Sequence, residues 1–288
     1  MKMNAKLMLS ISMIIFGTIG LLSRNIAVSS GELALYRAVL ASVLLIVYLL
    51  IKNERIHFKE IKKELIFLLL SGMAMGINWI LLFEAYKYTT ISAATLSYYF
   101  APVLVTVICP FLFREKLTKI QITCFIMSTI GLVLITGIGN VGESGTDLIG
   151  ILFGLGAAVF YATVILLNKF IKKVEGIHRT LLQFLAAIII LIPYVCFTGG
   201  CSLGNLDSKG WICLLVIGLV HTGITYCMYF SALKELKGQE TAILSYIDPL
   251  VAVLISVLVL GEPMSGWQIV GGVCILGFTL WNELSGEK

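Results

Sequence analysis

Ten runs of about 20 mostly apolar residues follow one another along the chain with little between them. They lie at about 7–24, 33–51, 65–87, 91–113, 118–137, 148–170, 179–198, 211–233, 240–260 and 266–283. A helix needs roughly 20 such residues to cross a bilayer. Backbone polar groups in lipid must be satisfied within the chain, which leaves helices or a closed barrel. A barrel would read as ~10-residue segments of alternating polarity. Leu65–Leu70 and Leu250–Leu260 are instead almost continuously apolar. The runs therefore predict an all-α integral membrane protein with ten transmembrane helices. Composition agrees: 13% of the 288 residues are charged and 59% are hydrophobic, with a mean hydropathy of +1.00. A soluble domain carries about 25% charge. A water-soluble enzyme, a disordered chain and a fibrous repeat are thereby excluded.

Lys2 and Lys6 before an apolar run give the N-terminus the look of a signal peptide. The run is long and no small-x-small cleavage site stands out, so it reads as an uncleaved first span. With that end cytoplasmic, seventeen of the 21 Lys and Arg fall on the cytoplasmic side. Arg24, Lys87 and Lys209 fall outside, and Arg37 lies within a span. Such asymmetry sets orientation in membranes, and it places both termini in the cytoplasm, most simply of a bacterial plasma membrane. The net charge of +5 is thus a topology signal and gives no argument for a nucleic-acid partner.

The halves repeat. At an offset of 147 residues they align without a gap from about Leu68 to Ile122. Gly76-Ile77 falls on Gly223-Ile224, and Phe83, Ala85 and Lys87 fall on Phe230, Ala232 and Lys234. Tyr99, Pro102, Glu115 and Gln121 fall on Tyr246, Pro249, Glu262 and Gln268. This divides the chain into residues 1–140 and 148–285, each with five spans. An odd number of spans makes the second copy cross in the opposite sense. Inverted repeats with a site between them near the midplane are a transporter architecture.

The ten spans, the two five-span halves and the motif Ala85-x-Lys87-Tyr88-Thr89-x-x-Ser92-Ala93, running on to Pro102 and Glu115, resemble the EamA-type carriers of the drug/metabolite transporter superfamily. The resemblance covers nearly the whole chain. It implies alternating-access export or exchange of amino acids or similar small metabolites, without a cofactor. The second half departs from the motif, with Glu235-Leu236-Lys237 where the first has Tyr88-Thr89-Thr90.

An ionisable group inside a span costs at least ~2.5–3.5 kcal/mol and normally faces a cavity or a partner. Arg37 and Glu84 lie at matching depths near the outer face. They read either as an ion pair forming a gate or carboxylate site, or as separately wetted interfacial side chains. Asp248, inside the cytoplasmic end of the ninth run, is a candidate for proton coupling. Asn78 and Thr225 occupy equivalent mid-span places, with His221 one turn before Thr225, and they mark a candidate cavity face. Pro102 and Pro249 each remove an N–H from the helix and free the carbonyls of Tyr98 and Ser245. Those acceptors, with Tyr99 and Tyr246, suit a small zwitterion or an aromatic. Trp79, Tyr161 and Tyr226 are candidate cavity walls. Trp211, Trp267 and Trp281 near run ends read as interface anchors. Gly72-x-x-x-Gly76 and Gly150-x-x-x-Gly154 permit close helix contact, and Gly271-Gly272 suits helix packing or a homodimer contact.

Other signals fall away. Gly137-x-Gly139-x-x-Gly142 lacks the βαβ setting that gives such glycines meaning. No Walker motif is present, and the three histidines are too scattered for a metal site. The seven cysteines read mostly as apolar filler, with Cys196 and Cys201 near enough in sequence to pair. An intramembrane enzyme would need His and acids at one depth, whereas Glu84, His221 and Asp248 lie at three. A channel is a further alternative. Among carriers, a cationic drug–proton antiporter is the runner-up. Single cysteines placed near residues 65 and 211 should label from opposite faces of the membrane; labelling of both from one face would end the inverted arrangement.

Overall fold

The computed structural model describes residues 4–54, 62, 64–113, 118–135, 146–174, 176–200, 202–233, 235–236 and 244–285. Glu115, Lys234, Lys237, Cys201 and the glycine motif at 137–142 lie outside the described residues. Regular structure among those described is helical. The helices are α1 (Ala5–Gly17), α2 (Ile19–Ser23), α3 (Ser30–Ile51), α4 (Leu65–Tyr88), α5 (Ile91–Tyr98), α6 (Ala101–Phe113), α7 (Lys119–Ile135), α8 (Thr146–Asn168) and α9 (Gly176–Thr198). Then α10 (Ser208–Leu215) runs through a π-helix (Val216–Ile224) into α11 (Thr225–Leu233). Finally α12 (Ile247–Leu254) runs into a second π-helix (Ile255–Val259), and α13 (Gly266–Ser285) ends the described chain.

Seven stretches among the described residues are long and apolar enough to cross a membrane: Ala5–Ser23, Ser30–Ile51, Leu65–Tyr88, Ile91–Cys109, Asp147–Asn168, Gly176–Thr198 and Ser208–Ala232. Lys119–Ile135 and Ile247–Val259 are apolar but shorter. The outward surface is apolar as well: Phe197 is 90% exposed and Leu258 75%. Water would not tolerate many such side chains together, but lipid does.

Local sequence starts these helices where they start. Ser29 and Glu32 form a capping box on α3, Thr90 caps α5 and Asp207 caps α10. Each provides an acceptor for N–H groups that the first turn leaves unpaired. Two further boxes explain part of the internal repeat. Thr118 with Gln121 closes the start of α7, and Ser265 with Gln268 closes the start of α13. The matched glutamines are therefore matched caps.

Packing follows the repeat. α4 lies against α8 and α9, and correspondingly α11 lies against α1 and the first π-helix against α3. The equivalent pairs α3/α9 and α7/α13 pack on each other, as do α5 and α12, which lie in the matched fourth and ninth runs. Glycines and small residues make this closeness possible. Gly31 opens α3 against Tyr194 near the end of α9, and Ile135 meets Gly271 while Gly131 meets Cys274. Ser92 N donates to Ser256 Oγ at 3.2 Å and Tyr99 OH to Asp248 Oδ2 at 2.6 Å. In the second and third of these pairs, rising residue numbers on one member meet falling numbers on the other, so the partners run antiparallel. α4 and α9 instead run parallel, Gly72 against Gln183 and Gly76 against Ala187. Their crossing carries a polar tie, with Gln183 Nε2 donating to Ser71 Oγ at 2.6 Å and to Asn168 Oδ1 at 2.7 Å.

A Cβ on Gly131 would come within 2.6 Å of the Gly271 carbonyl oxygen. Gly131→Leu should therefore part α7 from α13 and lower stability by about 1–3 kcal/mol, read as the thermal unfolding midpoint in detergent. Gly277→Leu, where an added Cβ meets nothing within 4 Å, should leave the midpoint nearly unchanged.

Candidate functional site

The polar interior centres on Arg37 of α3, which is 4% exposed. Its guanidinium stands 4.3 Å from the centroid of the Trp79 ring and 5.4 Å from that of Phe83, both on α4. Its Nε donates to Thr222 Oγ1 at 3.1 Å. Thr222 belongs to the first π-helix, whose side chains bond back to the carbonyls five residues earlier. The Thr222 hydroxyl donates to Ile217 O at 2.8 Å, and the Thr225 hydroxyl to Val220 O at 2.8 Å. His221 Nδ1 lies 3.3 Å from Val216 O, and its Nε2 lies 2.7 Å from Thr18 Oγ1, at the joint between α1 and α2. A widened turn of this kind often marks a working part of a helix. Here it turns His221 to Thr18 and Thr222 to Arg37 of α3.

Asp248 lies in the first turn of α12 and accepts from Tyr99 at 2.6 Å. Tyr98 stacks on Tyr161 with centroids 5.2 Å apart and meets Tyr99 edge-on at 5.8 Å. Tyr226 is edge-on to Phe16 at 5.3 Å and to Phe184 at 5.4 Å, and Phe184 is edge-on to Trp79. From Arg37 a run of rings leads through Trp79 and Phe184 to Tyr226, and from Asp248 another leads through Tyr99 to Tyr98. Arg37 and Asp248 thus both stand in an aromatic-lined interior. Among the described residues, no carboxylate pairs with Arg37 and no cation with Asp248.

The structure does not bring Glu84 to Arg37. Glu84 accepts from Ser30 Oγ at 2.5 Å and from Lys87 Nζ at 3.2 Å. Asn78 reaches across to α8, where Nδ2 donates to Ala157 O at 2.6 Å, so its amide ties two helices. Tyr246 is buried and precedes α12, with Ser245 beside it half-buried. The helix breaks at Tyr99 and Phe100, and both Val103 N and Leu104 N reach Phe100 O. Pro102 and Pro249 therefore sit in the first turns of α6 and α12, where a missing N–H costs little. Pro193 lies inside α9. Trp211, Trp267 and Trp281 are outward, at 41–67% exposure.

Thr18, Thr222, Phe83, Tyr86 and Phe184 were not legible as site residues, and neither was a clamp at one end of the bundle. There Arg24, after α2, pairs with Glu262 and donates to Thr89 O at 3.0 Å. Glu262 Oε2 also accepts from Ile91 N at 2.8 Å and from Ser256 Oγ. One carboxylate thereby joins α2, the start of α5 and the end of the second π-helix. The repeat match of Glu262 with Glu115 was the available signal. Beside the clamp opens a small cleft, lined by Arg24, Ser30, Phe83, Tyr86 and Lys87 among others.

The sequence model of the EamA-like transporter family matches residues 3–137 and again 148–282, one copy per half. An uncharacterised transporter of Bacillus subtilis, YxxF, is 33% identical over 276 residues, 95% of this chain and 88% of its own length. An uncharacterised transporter of Clostridium kluyveri is 28% identical over 243 residues, 81% and 78% of the two chains. A solved crystal structure superimposes with a TM-score of 0.66 over 98% of this chain and 97% of its own, at 18% identity, which shows a shared fold.

Glu262→Ala should lower the unfolding midpoint by the equivalent of about 1.5–3 kcal/mol, as loss of charge-assisted bonds does. Glu262→Gln, which keeps an acceptor for Ile91 and Ser256, should lose clearly less. Equal midpoints for the two variants would assign the whole loss to the Arg24–Glu262 ion pair and none to the bonds from Ile91 and Ser256.

Proposed function

We propose that this chain, which belongs to the EamA-like transporter family, is a secondary carrier that exports or exchanges small metabolites, amino acids or related solutes, by alternating access. Ten spans in two inverted five-helix repeats, residues 1–140 and 148–285, would cross the plasma membrane with both termini in the cytoplasm. The clamp of Arg24 and Glu262 then lies at the outer face. The observation that carries the reading is the antiparallel pairing of the repeat-equivalent helices α7 and α13, and of α5 with α12, beside an interior that holds Arg37 and Asp248. Two similar halves facing opposite ways have two arrangements of similar energy, one open to each side. Ionisable groups are kept inside lipid at a cost, which marks them as functional.

In this reading Tyr98, Tyr99, Tyr226 and Trp79 bound the solute path, and Asp248, half-buried beside Tyr99, carries a coupling proton. His221 and Thr225 hold the π-helix that faces the path, while Asn78 maintains its wall. Tyr161, Ser245 and Tyr246 complete the surroundings of Tyr98 and Asp248. A cationic drug–proton antiporter is the second reading, favoured by the tyrosines beside Asp248 and opposed by Arg37.

Purified protein in liposomes should catalyse counterflow of a labelled amino acid against an internal pool. Absence of flux across amino acids, drugs and nucleosides would reject the reading, and ohmic current without saturation would make it a channel. Asp248→Asn should keep counterflow while losing uptake driven by an imposed pH gradient. Unchanged pH-driven uptake in that variant would release Asp248 from the coupling role.

A further inference from the structure

We propose that Arg37 is the anchor for a carboxylate group on the transported solute, an assignment that rests on the carrier reading above. Arg37 is 4% exposed, and taking a cation out of water costs several kcal/mol even after relaxation. The Trp79 and Phe83 rings at 4.3 and 5.4 Å return only about 2 kcal/mol of that as cation–π attraction. Among the described residues no carboxylate supplies the rest. The side chain is held from behind, with Nε donating to Thr222 Oγ1. That bond leaves the Nη pair, the fork that grips a carboxylate with two parallel bonds. A charge so well positioned and so poorly compensated is arranged for a partner that comes and goes.

The surroundings select the partner. With Asp248 ionised, Arg37 and Asp248 give the interior one charge of each sign. It matches a solute with one negative and one positive group. A phosphate dianion would need more than one buried cation, because its charge is close to −2. The approach is also marked. Phe83 and Tyr86, 2% and 6% exposed, line the cleft that holds Arg24 and Lys87, and Phe83 also contacts the Arg37 guanidinium. Arg24 and Lys87 are each paired there, with Glu262 and Glu84, and the Phe83–Tyr86 pair separates that mouth from Arg37.

The test uses the full chain in liposomes preloaded with leucine, phenylalanine and threonine. Counterflow is measured for each acid, for its carboxamide and for inorganic phosphate. Wild-type flux should be at least about tenfold faster for the acids than for the amides, since a site built to bond a group rejects the analogue lacking it. Arg37→Gln should cut acid flux about 10- to 100-fold, with an unfolding midpoint unchanged or raised, because an uncompensated buried charge is removed. Arg37→Lys should restore part of the flux at a higher KM. Amides or phosphate carried as fast as the acids, or full flux in Arg37→Gln, would overturn the assignment and leave the carrier reading standing. A lowered midpoint with lost flux would make Arg37 structural, and the assignment would then stand or fall on the wild-type comparison of acids with amides. No flux of any solute in the wild type would reject the carrier reading itself for this class.

Discussion

Lipid gives helices no hydrophobic reason to associate, so this bundle depends on how closely its backbones approach and on polar groups that meet only when they do. Gly72 rests on Gln183, Gly131 on Cys274 and Gly218 on Leu40. At the first of these crossings Gln183 bonds Ser71 and Asn168, a contact that wider spacing would break. Asn78 to Ala157 O and Arg37 to Thr222 obey the same logic. Close approach and internal bonding form one condition, met by small residues at the crossings and polar ones beside them.

Seven of the ten span positions were readable because lipid demands long apolar runs, and caps such as Ser29–Glu32 and Ser265–Gln268 stand openly in the chain. The repeat was readable for a related reason: prolines and polar residues are too rare here to coincide by composition. Partners were much less readable. Arg37 and Glu84 share a depth, yet depth says nothing of azimuth, and Glu84 turns to Ser30 and Lys87 while Arg37 turns to Thr222. The prolines pointed to the right segments but for a different reason, since they begin new helices at breaks instead of bending continuous ones. Thr18 and Phe184 carry no mark in a one-dimensional pattern, because their contacts with His221 and Trp79 are made across the bundle.

Two levels of polarity therefore coexist. Several buried hydroxyls are satisfied locally, like those of Thr222 and Thr225, and these bonds reduce the cost of burial. Arg37 and Asp248 differ: each has a single neutral partner, Thr222 or Tyr99, and neither has a countercharge beside it among the described residues. Stability alone would favour replacing such groups by apolar ones of equal volume.

The segment Val216–Ile224 holds more than one turn's usual share of residues. In a crystal such a defect would be called a dislocation, and it can glide along a rod without breaking it. Each step of one residue turns the side chains it passes by roughly 100°. His221 and Thr222 sit on this stretch, so a small slip there would swing their contacts with Thr18 and Arg37 to new bearings while both ends of the rod stay where they are.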